Sequence, residues 1–234
     1  MALLGHSVRL RITTTDVDAS VQAWLDAGFQ PLGSQAATVD TRELWLTDGQ
    51  IVVELVHGEH GVPTIVYGNT APTRTAQQCK DRGAPGIVSA DALLLQGLGR
   101  LPIAVESMPM DAGVHADGDQ NPVLGYFDHL VVHVADLDAA KRWSESVGLL
   151  VLDQYDGEHP TINVTDGATT ISLRTLPIAG IPLEYSADLD HEVVEYLRET
   201  FGTSCHVVDD ADGNPMVVRL VMPEGTMIMI GRDD

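Results

Sequence analysis

The stretch His129–Trp143 (HLVVHVADLDAAKRW) decides the fold of this protein. An apolar run typical of a strand leads into Asp136, and apolar residues then recur at helical spacing as far as Trp143. Asp is a favoured residue just before a helix, because its carboxylate accepts hydrogen bonds from the free amides of the first turn. The stretch is therefore predicted to form a strand, a capping turn and a helix.

The same pattern occurs elsewhere in the chain. Clear copies run Val8–Leu25 and Leu183–Leu197, and a weaker copy runs Thr64–Cys79. The turn residues are Asp16, Asn69, Asp136 and Asp188. The spacing is 53 residues within the first pair, 52 within the second and 120 between Asp16 and Asp136. Recurrence at a period of about 50 residues indicates a duplicated supersecondary unit.

Each copy is followed by three further strands. Asp48-Gly49 and Asp166-Gly167 are strong hairpin signals between the last two strands of the first and third copies. The helices are predicted at Val17–Ala27, around Thr73–Arg82, at Leu137–Val147 and at Leu189–Phe201. The fold class is therefore α+β, with four βαβββ modules. A Gly-, Asp- and Pro-rich stretch at 109–124 is the predicted linker, which gives an N-terminal domain at 1–108 and a C-terminal domain at 125–234.

Composition restricts the partners. The chain has 34 acidic and 13 basic residues, a net charge of −21, which repels nucleic acid and anionic membranes. It contains no apolar run near the ~18 residues that span a membrane, and its start does not resemble a signal peptide. We expect a cytoplasmic protein with reduced cysteines at Cys79 and Cys205. Motifs for a serine nucleophile, a phosphate loop and a dinucleotide fold are absent from the sequence.

Tandem pairs of βαβββ units resemble the vicinal oxygen chelate superfamily, which includes glyoxalase I, bleomycin-resistance proteins, extradiol dioxygenases and hydroxyphenylpyruvate dioxygenase. The resemblance covers nearly the whole chain and is clearest in Phe127–Leu149. It implies that the four modules pair into two glyoxalase-like domains, each with a cup-shaped sheet. It also implies a divalent metal (Fe, Mn, Ni or Zn), held by His from first strands and Glu from last strands.

In the C-terminal half, the resemblance places His129 at a metal-ligand position. Ser172 and Met229 stand where acidic ligands are expected, and a count back from the fourth helix reaches Ile181 where a second His is expected. Glu184 enters the cup only if its strand shifts by one residue. The implied metal ligands here are therefore His129 and Glu184, and a metal-free site is the alternative.

In the N-terminal half, Glu54 and Glu106 occupy the family's Glu positions, while Arg9 stands at a first-strand position. Two carboxylates can hold a hard cation. They can equally pair with arginines, because strand alternation places Arg9 and Arg11 across from Glu54, on the face away from the helices.

Strand alternation also indicates which C-terminal side chains share the cup. His133 is the predicted acid–base catalyst, because imidazole exchanges protons near neutral pH. Arg174 is predicted to anchor a carboxylate. The predicted substrate-binding residues are Asn163, Arg219, Met227 and Met229. This mixture suits a small oxygen-rich organic anion.

The sequence leaves two function classes open. We favour an enzyme of the dioxygenase, lyase or isomerase type with an incomplete family metal site. The alternative is a metal-free protein that sequesters a small molecule, as bleomycin-resistance proteins do. Exposed sheet edges make a homodimer an alternative to a monomer.

Overall fold

The computed structural model describes residues 3–32, 43–84, 86–89, 92–99, 101–108, 120–178 and 180–233. Most of the predicted linker, residues 109–119, lies outside the described residues. None of the helices in the described ranges is both long enough and apolar enough to cross a membrane.

The N-terminal half contains two modules in the predicted order. The first comprises β1 (Ser7–Thr14), α1 (Val17–Asp26), β2 (Gln30–Pro31), β3 (Glu43–Thr47) and β4 (Val52–His57). The second comprises β5 (Thr64–Asn69), α2 (Pro72–Asp81), β6 (Ile87–Val88), β7 (Ala92–Leu98) and β8 (Leu101–Ser107).

The C-terminal half repeats this order. The third module comprises β9 (Tyr126–His133), α3 (Leu137–Ser146), β10 (Leu150–Tyr155), β11 (Thr161–Thr165) and β12 (Thr170–Arg174). The fourth comprises β13 (Leu183–Ala187), α4 (His191–Phe201), β14 (Cys205–Asp209), β15 (Pro215–Val221) and β16 (Met227–Arg232). A short 3₁₀ turn, Gly202–Ser204, joins α4 to β14.

The described strands form two eight-stranded sheets, one from each half of the sequence. Their orders are β2-β3-β4-β1-β5-β8-β7-β6 and β10-β11-β12-β9-β13-β16-β15-β14. The first strand of each module therefore lies at the centre of its sheet. Last strands run parallel to first strands, as in the β12–β9 and β16–β13 pairs. The predicted α+β fold of four paired βαβββ modules is confirmed.

Asp residues cap three of the helices. Asp16 Oδ1 accepts a hydrogen bond from Ala19 N at 3.0 Å, and Asp136 Oδ1 accepts one from Ala139 N at 2.9 Å. These two caps were predicted from the repeat.

The predicted start of the fourth helix was wrong. This helix begins at His191, with Asp190 as its cap, because Asp190 Oδ1 accepts from Val193 N at 2.8 Å. Leu189, predicted as the first helical residue, is only 4% exposed and lies in the turn before the helix. With Leu189 buried in this turn, the first helical turn begins at His191.

The chain divides into two compact units, each of which combines segments of both halves. The first unit contains Met1–Arg11, Val62–His115 and Leu130–Ile181. The second unit contains Ile12–Gly61, Ala116–His129 and Pro182–Asp234. In the second unit the core includes Trp24 packed edge-on against Phe29, with ring centres 4.7 Å apart. The predicted domain boundaries at 1–108 and 125–234 stay a prediction.

Candidate functional site

A histidine and a carboxylate meet at the centre of the C-terminal sheet. His129 Nε2 lies 2.7 Å from Glu184 Oε2, on the neighbouring strands β9 and β13, and both residues belong to the second unit. Their side chains are 18% and 16% exposed, so the pair is partly shielded from water. Glu184 therefore reaches the face of His129.

The count that placed Ile181 at this position was wrong. It started from Leu189, whereas α4 begins at His191 and β13 begins only at Leu183. The neighbours of Glu184 in the strand, Leu183 and Tyr185, are both buried at 1% exposure or less. Because side chains alternate along a strand, these two residues fill the core side and Glu184 takes the opposite face.

Strand register extends this pair into a row of side chains. Glu184 lies opposite Met229, Met229 lies opposite Arg219, and Arg219 lies opposite His206. Directly opposed residues on neighbouring strands share one face of a sheet. The second unit therefore carries one continuous row, which we call the central row: His129, Glu184, Met229, Arg219 and His206. Met227 lies on the same face, two residues before Met229 in β16.

The central row does not fit the metal centre that the family resemblance implies, with His from first strands and Glu from last strands. It offers one imidazole and one carboxylate at its centre, and the next position holds the thioether of Met229. A thioether is a soft ligand, poorly suited to Mn(II) or Fe(II). Within the described ranges, no group of three or more His, Cys, Asp or Glu side chains is placed to hold a metal ion.

The other predicted residues of this sheet lie in the first unit. Arg174 of β12 is opposite His133 of β9 on one side and Thr161 on the other. Arg174 Nε donates to Ser172 Oγ at 3.1 Å, and Ser172 is fully buried. Ser172 thus holds a guanidinium where an acidic ligand was expected. The structure brings the predicted catalyst His133 and the predicted anchor Arg174 together as direct neighbours.

Asn163 has a neighbour that the sequence did not reveal. Asn163 of β11 lies opposite Ser172 and, on its other side, opposite Asp153 of β10. The Oδ1 atoms of Asn163 and Asp153 are both buried without a hydrogen-bond partner among the described residues. Asp153 was missed because a register irregularity between Val151 and Asp153 breaks the alternation of β10.

The N-terminal sheet holds an ion-pair cluster instead. Arg9 Nη2 lies 2.7 Å from Glu106 Oε2, while Arg11 reaches both carboxylate oxygens at 2.6 and 2.9 Å. Burial raises the pKa of Glu106, but the two guanidiniums outweigh burial and hold this pKa below its usual value. Two positive charges on one carboxylate disfavour a cation there, and structural pairing accounts for Glu106. Glu54 is fully buried in β4, opposite Trp45.

Comparison with solved structures finds proteins of the same fold, although their sequences differ widely from this one. No family model and no curated protein sequence matches the chain. Among solved structures, a catechol 2,3-dioxygenase is similar with a TM-score of 0.61 and 15% identity, covering 100% of this chain and 89% of the other. The Mn(II)-bound glyoxalase from Novosphingobium aromaticivorans gives 0.60 and 16%, with coverages of 96% and 80%. A variant of homoprotocatechuate 2,3-dioxygenase from Brevibacterium fuscum gives 0.63 and 13%, with coverages of 99% and 72%.

These likenesses extend over essentially the whole chain. They confirm the fold expected from the resemblance to the vicinal oxygen chelate superfamily, including the pairing of modules within each sheet. At 13–16% identity they show the fold alone. Any chemistry of this protein must therefore be argued from its own side chains.

Proposed function

We propose that this protein is an enzyme that transfers a proton on a small oxygen-rich organic anion bound over the central row. The observation that carries the proposal is the 2.7 Å contact between His129 Nε2 and Glu184 Oε2. The fold shared with dioxygenases and a glyoxalase supports an enzyme on general grounds.

The pair has the arrangement of an oriented base. When Nε2 carries the proton and donates it to the carboxylate, Nδ1 is the basic atom of the neutral imidazole. The negative charge of Glu184 then stabilises the imidazolium that forms when Nδ1 takes up a proton. His129 is thus the proposed catalytic base, and Glu184 is a positioning residue.

The rest of the central row suits the body and the charge of the substrate. Arg219 lies three strands from His129, about 14 Å across the sheet at ~4.8 Å per strand. An extended Arg219 side chain reaches back toward His129, so that the remaining gap matches the length of a small organic acid. The guanidinium pairs with the carboxylate of that acid. Met229, between Glu184 and Arg219, supplies an adaptable apolar surface. In a chain with a net charge of −21, such a guanidinium is needed to hold an anion.

The chemistry that follows is proton transfer at a carbon next to a carbonyl group. His129 takes the proton from that carbon, and the bonding electron pair moves onto the carbonyl oxygen to give an enolate. Return of the proton to the same carbon completes an exchange. In a hydroxy-oxo acid, return of the proton to the former carbonyl carbon completes an isomerisation, because the proton of the neighbouring hydroxyl moves to the enolate oxygen and the new carbonyl forms at the deprotonated carbon. The substrate class is therefore a small 2-oxo or hydroxy-oxo acid. The proposed reaction uses no metal, because the side chains of the central row do not fit one.

Proton exchange can be tested directly. The protein is incubated in D₂O with a panel of small 2-oxo acids, and loss of the signal of the carbon-bound protons is followed by proton NMR. We expect catalysed exchange that falls at least about 100-fold in His129→Ala, the scale of general base catalysis. His191→Ala is the matched control, because His191 is exposed in the first turn of α4. Exchange that persists in His129→Ala would contradict the assignment.

Glu184→Gln separates positioning from structure. The change removes the negative charge beside the imidazole and keeps the shape of the side chain, so the exchange rate should fall at least about tenfold while folding, followed by circular dichroism, is retained. Arg219→Lys should raise KM more than it lowers kcat, because a point charge replaces a two-pronged contact. A Glu184→Gln variant that exchanges protons as fast as the wild type would contradict the positioning role of Glu184.

The second candidate is the metal-free binding protein. It is favoured by one observation, that Ser172 and Met229 stand at the last-strand positions of the acidic ligands. This candidate replaces the enzyme if three results are obtained together. The wild type binds a 2-oxo acid in calorimetry, it exchanges no proton of that acid, and the His129→Ala variant binds the acid as tightly as the wild type does.

Metal content provides an independent test. The protein is incubated with Fe(II), Mn(II), Ni(II) or Zn(II), desalted, and analysed by inductively coupled plasma mass spectrometry. We expect less than about one ion in ten chains, since among the described residues one imidazole and one carboxylate meet at the centre of the central row. About one ion per chain that is lost in His129→Ala would overturn the metal-free mechanism.

The remaining expectations stay predictions. They are the catalytic role of His133 with anchoring by Arg174, substrate binding by Asn163 and Met227, a cation at Glu54, a cytoplasmic location, the absence of nucleic-acid and membrane partners, and a homodimer.

A further inference from the structure

The internal repeat provides two copies of one hairpin turn, and their comparison reveals a second site. In the second unit the turn at Asp48-Gly49 is followed by Gln50. The Gln50 side chain joins the turn to the start of β9, because Nε2 donates to Gly125 O at 3.0 Å and Oε1 accepts from Phe127 N at 2.8 Å. The carboxamide thus closes the gap between the turn and the strand.

The first unit contains the matching turn 118 residues later, at Asp166-Gly167. The two turns share their hydrogen bonds: Thr47 Oγ1 donates to Ile51 O at 2.9 Å, and Thr165 Oγ1 donates to Thr169 O at 2.9 Å. The residue equivalent to Gln50 is Ala168, whose amide bonds Asp166 Oδ1 just as the Gln50 amide bonds Asp48 Oδ1.

Alanine cannot close the gap, and a cavity of about 290 Å³ is present there. It lies entirely within the first unit and is lined by Gly5, His6, Ser7, Val8, Tyr67, Asp166, Gly167 and Ala168. By the repeat, Gly5 and Ser7 are the counterparts of Gly125 and Phe127. The backbone groups that Gln50 bonds in one unit therefore face no matching side chain among the described residues of the other.

Two buried polar atoms of this lining make no hydrogen bond of ordinary geometry with the described residues. They are the Tyr67 hydroxyl, on a side chain only 2% exposed, and His6 Nε2. Tyr185, the counterpart of Tyr67, donates to Asp48 Oδ2 at 2.7 Å. Burial, followed by the charge of Asp166 and the approach of its carboxylate to the hydroxyl, raises the pKa of Tyr67. A buried polar group without a partner costs free energy, so the cavity is built for a polar occupant.

We propose that this cavity binds a small neutral molecule carrying a primary carboxamide, which takes the place that the Gln50 side chain fills in the other unit. The amide N–H of the ligand donates to the carbonyl of Gly5, and its oxygen accepts from the amide of Ser7. The body of the ligand lies against Tyr67 and His6, whose polar atoms complete its hydrogen bonds.

The charge of the lining selects a neutral amide over an acid. Asp166 is the carboxylate nearest to Tyr67, and it disfavours an anion in the same space. A carboxamide carries a donor and an acceptor side by side, which is the pair of groups that Gln50 presents. The site is separate from the central row and does not depend on the proposed function.

Benzamide and benzoate are a matched pair of probes, identical except for the amide. Binding is followed by calorimetry and by two-dimensional NMR. We expect benzamide to bind the wild type with a dissociation constant on the order of 1 mM, the scale for so small a ligand. Shifted amide signals should map to Ser7, Tyr67 and Ala168, and benzoate should bind at least about tenfold more weakly.

Two variants test the assignment from opposite directions. Ala168→Gln should fill the cavity, raise Tm and weaken benzamide binding at least about tenfold. Gln50→Ala should open the equivalent space in the second unit, lower Tm and raise the benzamide stoichiometry from one to two.

The proposal fails if benzamide shifts no signals of the lining at about 10 mM, since the cavity would then hold only water. It also fails if Ala168→Gln binds benzamide as the wild type does, or if benzoate binds equally well. Proton exchange at the central row should be unchanged in Ala168→Gln, which separates the two sites.

Discussion

Replacing Glu106 by Gln tests whether the cluster of the N-terminal sheet is structural. The change removes the negative charge from a carboxylate that makes three charge-assisted hydrogen bonds, one with Arg9 and two with Arg11. Arg9 is only 6% exposed, so its guanidinium is left facing a neutral amide inside the protein. Removing a negative charge from beside a buried guanidinium is costly.

The size of the effect follows from the exposure of the partners. Breaking a fully buried ion pair costs roughly 3–5 kcal/mol, while an exposed pair contributes about 0–1 kcal/mol. The side chains of Glu106 and Arg11 are 26% and 28% exposed, which places this cluster between the two limits. We expect a loss of about 2–3 kcal/mol. At roughly 2–4 °C per kcal/mol for a chain of this length, Tm should fall by about 4–12 °C.

The pH dependence identifies the cause. The pKa of Glu106 is held below its ordinary value of 4.5 in the folded protein. A carboxylate with a lowered pKa contributes stability that is fully present above its unfolded pKa and is lost as the pH falls through the folded one. The Tm difference between wild type and Glu106→Gln should therefore be full at pH 7 and should shrink below about pH 4.5.

Calorimetry between pH 3 and pH 7 measures this difference. Glu43→Gln is the matched control, because Glu43 is exposed at the start of β3 and should change the stability by less than about 0.5 kcal/mol. The reasoning is refuted if Glu106→Gln lowers Tm by less than about 1 °C at pH 7, or if its deficit is the same at pH 3.

Two further predictions use matched positions of the repeat. Tyr185→Phe removes the 2.7 Å hydrogen bond to Asp48 and should cost about 1–2 kcal/mol in chemical unfolding. Tyr67→Phe removes a hydroxyl that approaches Asp166 without ordinary hydrogen-bond geometry, and it should cost less than half as much. Equal losses would contradict this. Asp190→Ala should cost about 1 kcal/mol through loss of the α4 cap, and Asp188→Ala only a few tenths; the reverse order would restore the helix start predicted from sequence.

Short-range patterns predicted most of the elements. β10 (Leu150–Tyr155) and β11 (Thr161–Thr165) follow the third copy of the repeat as predicted, because clear turn signals lie on either side of them. The caps at Asp16 and Asp136 follow from the residue types just before each helix. The fourth helix was misplaced because Asp188 and Asp190 are equally good caps locally, and only the burial of Leu189 distinguishes them.

The candidate site was only partly predictable. Its position on the C-terminal sheet followed from His129 and from the family resemblance. The side chain that His129 meets did not follow, because Glu184 is 55 residues away and the pairing of β9 with β13 selects it. Likewise, Glu106 receives two arginines that lie 97 and 95 residues before it.

By itself, then, the sequence determined the modules, their repetition and the faces of their strands, since periods of 2 and 3.6 residues depend on neighbours within one element. Tertiary structure alone decided which polar side chains meet, and it left a cavity beside Ala168 where Gln50 closes the matching gap. The physical reason is that the register between distant strands is fixed by burying the whole core at once. A change of one residue in that register turns every side chain of a strand to the other face.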